Sequence, residues 1–83
     1  MVDSNIYDDT LRRIDEVNPK SFDRPFDRIY ACRKVLMMVK VAKAAFGNSM
    51  ELAEREFHAT WLLRCSEKAL ERERSQQLKN EGS

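Results

Sequence analysis

A chain of 83 residues with a net charge of +1 makes one small domain, and its balanced charge excludes the field with which strongly basic domains gather nucleic acid. Two cysteines, Cys32 and Cys65, exclude a disulfide framework, and a single histidine, His58, leaves a structural zinc site short of ligands. The longest apolar run, 35–46, is broken by Lys40 and Lys43 and is too short to cross a bilayer, and the acidic start has no apolar stretch of a secretory signal.

Apolar spacing divides the chain into three helices. The first is expected over 4–17, with Asp3 or Ser4 as N-cap and Tyr7, Leu11, Ile14 and Asn18 on one face, widened by Ile6 and Val17. Asn18-Pro19 ends it, because the residue before a proline is pushed out of the α region. The second is expected over 24–46, opened by Asp23 as N-cap with Pro25 in the first turn, and closed by Gly47 in a left-handed position. Asn48 or Ser49 restarts the chain, and Asn48-x-x-Glu51 has the spacing of a capping box. The third helix is expected over 49–78, with Asn80 to Ser83 as a frayed tail. No segment alternates at period two, so the fold class is all-α: a single domain over 1–83, built as a small helical hairpin or an open three-helix bundle.

The second helix is more apolar than a surface helix needs. Between Val35 and Phe46, ten of twelve residues are apolar or alanine, which makes two stripes where one suffices. Ile29, Cys32, Leu36, Val39 and Phe46 form one stripe; Tyr30, Met37, Val41 and Ala44 form the other. The third helix repeats this, with Met50, Ala53, Phe57 and Trp61 on one stripe and Ala59, Leu62, Leu63 and Leu70 on the second. A domain this small buries only about 60–65% of its unfolded surface, so a partner is the natural complement to its core. Phe26, Tyr30, Met37, Val41, Phe57 and Trp61 are therefore the expected partner-binding residues. Charge is segregated as well. Residues 1–18 hold five acids and two bases, whereas 19–46 hold seven bases and two acids. Arg24, Arg28, Arg33 and Lys34 make an expected basic patch, facing acidic protein, phospholipid headgroups or RNA, or else pairing with the acidic first helix.

Catalytic chemistry is not legible. His58 has no serine or cysteine with a third residue to orient it, and its expected partner is Glu54, one turn earlier. No phosphate-cradling glycine loop is present, and Met37 and Met38 read as core filler. Both cysteines read as small hydrophobes carrying reduced thiols. The expectation is a protein without catalytic residues, cofactor or metal.

The stretch Arg12-Arg13, Pro19, Asp23-Arg24-x-Phe26 and Arg28-Ile29-x-Ala31, ahead of a methionine-bearing helix, resembles the small matrix-side subunit of mitochondrial ubiquinol–cytochrome c reductase, subunit seven of respiratory complex III. Asp27 is an insertion in that motif, and Gly47-Asn48-Ser49 replaces the family's Leu-Pro. Tyr7, Leu11, Ile14, Pro19-Lys20 and Val35-Leu36-x-Met38-Val39-Lys40 are also similar to alpha-subcomplex subunit five of complex I. Both resemblances imply a non-catalytic accessory subunit of the respiratory chain, peripheral on the matrix side of the mitochondrial inner membrane. In complex III its partners would be cytochrome b and the core subunits. The alternative class is a free-standing helical adaptor or homodimeric regulatory module.

Overall fold

The computed structural model describes residues 4–81, with side chains from 5 to 76. Three helices carry the fold: α1 (Ser4–Val17), α2 (Pro25–Phe46) and α3 (Met50–Glu81), with a 3-10 turn at Pro19–Ser21 between the first two. No strand occurs among the described residues. The all-α architecture read from the sequence is the one observed, a hairpin of α2 and α3 with α1 laid along it.

The helix ends follow local chemistry, though not always through the expected residue. Asn18 leaves α1 with a positive φ of 42°, the left-handed conformation that asparagine tolerates, instead of the extended one expected before proline. Pro19 then opens the 3-10 turn, and the Ser21 hydroxyl donates to the Asn18 carbonyl at 2.8 Å. Pro25 is the first residue of α2, where its missing N–H costs nothing. The cap position before it is Arg24, without a side-chain hydrogen bond, so Asp23 does not cap α2. Gly47 stops α2 and donates its N–H to the Lys43 carbonyl at 2.8 Å. Its φ of 86° requires glycine as expected, but its ψ of −178° is extended rather than left-handed helical. Ser49 caps α3 by accepting the Leu52 N–H at 3.2 Å, so the expected Asn48–Glu51 box does not form. Nothing in 76–81 stops a helix, and α3 continues through Asn80, which was expected in the tail. Asp3, Gly82 and Ser83 lie outside the described residues.

Only residues 47–49 separate α2 from α3, so α3 folds back along α2. Val35, Val39 and Ala42 from α2 meet Leu52 and Ala59 from α3 along the seam, and Ile14 from α1 closes this core from one side. Tyr7, Leu11 and Val17 join Ile14 on the inner face of α1, while Ile6 is exposed. α1 runs in the same direction as α3. The Tyr7 hydroxyl lies 2.6 Å from that of Ser49 at the start of α3, and two turns later Arg55 grips Asp15. The molecule is long and thin, 64 × 18 × 15 Å. α3 is ten residues longer than α2, and every described side chain from Glu71 onward is exposed.

Candidate protein interface

α2 is apolar on two opposite sides, and the fold uses one. Ile29, Cys32, Val35, Val39 and Ala42 point inward and are buried. On the outward side Phe26, Tyr30, Met37 and Val41 are 66%, 72%, 69% and 64% exposed. At roughly 100° per residue these four fall within about a sixth of the helix circumference, together with Ala44, and Arg33 lies at their edge. They form a straight row from residue 26 to residue 44, about 27 Å long at 1.5 Å per residue. The sequence leads to this row for a simple reason. Apolar residues recur at both the inward and the outward phase of the helical period, and a hairpin with one covering helix has cover for only one phase.

The expected partner-binding residues do not converge on one patch. Phe57 and Trp61 are exposed too, with Met50, but on the face of α3 opposite its buried Leu52, Ala59 and Ser66. The six residues therefore divide between the two outer edges of the hairpin, because each helix turns its own surplus away from the shared seam.

The basic patch is corrected in a similar way. Arg24 precedes α2, Arg28 turns inward with a buried Nε lacking a hydrogen-bond partner, and Lys34 and Lys40 flank the apolar row on opposite sides. Arg33 lies beside Lys40 on one edge of the row, just outside its four apolar residues. The expected pairing with acidic α1 is absent among the described residues. Asp9 binds Arg12 and Arg13 of its own helix, Asp15 binds Arg55, and Lys43 binds Glu56. Arg24, Arg28, Arg33, Lys34 and Lys40 form no ion pair among the described residues.

The polar contacts that the sequence did not reveal hold α1 in place. The Arg55 guanidinium donates from two nitrogens to both oxygens of Asp15 at 2.9 Å, and from the third to the Glu51 carbonyl. Its pKa is pushed further up, chiefly by the hydrogen bond to Asp15. The Tyr7 phenol donates to the Glu51 carboxylate, and its ring meets Phe46 edge-on at 5.3 Å. Donation to Glu51 raises the phenol's pKa above its ordinary value. Tyr7 and Glu51 lie 44 residues apart and Asp15 and Arg55 lie 40 apart, beyond any spacing rule. Beneath the Arg55–Asp15 pair, a groove of about 300 Å³ between α1 and α3 has Ile14, Val35 and Ala59 as its floor and Lys20 and His58 on its rim.

His58 is exposed beside Phe57 and makes no ion pair with Glu54, against expectation. Both cysteines are free. Cys32 is fully buried, and burial pushes its thiol pKa up, partly offset by the charge of Arg28. Cys65 is exposed, against its reading as a small hydrophobe. No helix is long and apolar enough to cross a membrane among the described residues.

Compared with protein-family models, curated proteins and solved structures, the chain matches none. The likeness to the complex III and complex I subunits therefore rests on the motif residues alone.

Proposed function

We propose that this chain is a non-catalytic helical subunit that binds a larger protein assembly through the outer face of α2. One observation carries the reading: a single helix buries one apolar face in the core and exposes a second, continuous one in Phe26, Tyr30, Met37 and Val41. Isolated apolar side chains on a surface are ordinary, but an aligned row at helical spacing is the pattern of a docking face. Placement in a mitochondrial respiratory complex, complex III before complex I, is the narrower form of this proposal. Its support is the Asp23 to Ala31 motif.

Co-purification tests both levels. The tagged chain, drawn from its own cells after mild detergent extraction, should bring a stoichiometric partner complex with it, and Met37→Asp should lose that complex while remaining folded. A chain that purifies alone and monomeric overturns the docking reading. A stable complex outside the respiratory chain overturns only the narrower form.

A further inference from the structure

The outer face of α2 also specifies the chemistry of what covers it. Phe26, Tyr30, Arg33, Met37, Lys40 and Ala44 follow one another at alternating spacings of four and three, the a/d rhythm with which one helix seats along another. The row is straight and one helix wide. Two of its six positions are cations. Arg33 and Lys40 lie along one edge of the apolar residues, with Lys34 on the opposite flank.

None of these three charges is neutralised by the described part of this chain. The acids of α1 and α3 lie across the hairpin from this face, and Asp27, the one acid of α2, forms no ion pair with any of the three among the described residues. A purely apolar covering surface would leave Arg33, Lys34 and Lys40 along its margins with no acid to meet them. A second copy of the same face is no better. An antiparallel pair centred between Phe26 and Ala44 would gather Arg33, Lys34 and Lys40 of both chains around its middle. A parallel pair would set Arg33 against Arg33. Neither arrangement places a carboxylate opposite them.

We propose that the outer face of α2 receives an amphipathic helix of another protein, whose apolar seam packs on Phe26, Tyr30, Met37 and Val41 and whose carboxylates meet Arg33, Lys34 and Lys40. This rests on the docking reading and narrows it to an acidic helical partner. Carboxylates at such a contact contribute register and specificity, and the apolar seam contributes most of the affinity.

Two synthetic helices of about five turns test it, each with a leucine seam, one flanked by glutamates and the other by lysines. Each is titrated into the isotope-labelled full chain and followed by NMR. The glutamate helix should shift the amides of 26–44 and bind at least tenfold more tightly than the lysine helix at low salt. Arg33→Glu combined with Lys40→Glu should reverse that preference, and Met37→Asp should abolish binding of both, with circular dichroism unchanged in every variant. Equal binding of the two helices, lost in Met37→Asp, overturns the acidic partner and leaves the docking face standing. Binding that survives Met37→Asp removes the docking face itself. No binding of the glutamate helix, binding only to anionic phosphatidylserine vesicles, or self-association broken by Met37→Asp each overturns the acidic helix as occupant.

Discussion

Met37 and Val39 stand two residues apart and on opposite sides of α2, the first 69% exposed and the second 1%. The helix is equally apolar at both, so the difference comes from what lies alongside: α1 and α3 cover the inner side, and nothing in the described chain covers the outer one.

That asymmetry separates stability from binding. Leu52→Ala, deep in the same core, should cost about 2–5 kcal/mol, most of the margin expected of so small a domain. Met37→Asp should change stability by no more than about 0.5 kcal/mol, because it removes no intramolecular cover. Urea midpoints of the two variants check this. Equal destabilisation would mean that the outer face is packed in solution.

The Asp15–Arg55 pair ties α1 to α3 by a two-pronged contact, but the Asp15 side chain is 57% exposed. Solvent screening limits its value to about 1 kcal/mol or less, falling with salt. Asp15→Asn should lower the unfolding midpoint slightly at low salt and hardly at all at about 1 M salt, where charge interactions are screened within a few ångströms.

Tyr7 supplies a pH dependence. Its phenol is raised chiefly because the neutral hydroxyl donates to Glu51. A raised folded-state pKa means that the contribution is complete below the ordinary tyrosine value of about 10 and is lost as pH climbs through the folded value. Stability should therefore decline on the alkaline side, and Tyr7→Phe should remove that part of the decline. Thermal melts of both chains at successive alkaline pH values would show it; identical slopes would refute it.

The two thiols should differ in reactivity. Cys65 is exposed and should react promptly with a disulfide reagent, whereas Cys32, with no exposed surface, should react only as the hairpin opens. Two fast thiols would show that the α2–α3 seam around Cys32 is loose.

The fold was readable because its signals are local. Pro19, Pro25 and Gly47 stand at helix boundaries, and the apolar period over 4–17 and 35–46 marks helix directly. Ser49 displaced Asn48 as the cap because the choice depends on where the first turn closes, which a one-residue offset decides. The double-faced α2 was readable as a surplus, and the stripe expected to stay uncovered, with Tyr30, Met37 and Val41, is the exposed one. What was not readable are the polar contacts of α1 with α3, Tyr7–Glu51 and Asp15–Arg55, between segments that share no spacing rule. The basic patch misled for the opposite reason. Arg24, Arg28, Arg33 and Lys34 are close in sequence, yet at roughly 100° per residue they scatter around the helix.

The most direct test asks whether the outer face of α2 is covered in the native assembly. Met37→Cys and Glu73→Cys, each placed in a Cys65→Ser chain, are labelled with a maleimide, first in the isolated protein and then in the native complex. Docking through α2 predicts that the thiol at position 37 reacts freely in the isolated chain and is protected in the complex. The thiol at position 73 should react in both. A thiol at position 37 that labels equally fast in both states would contradict the account.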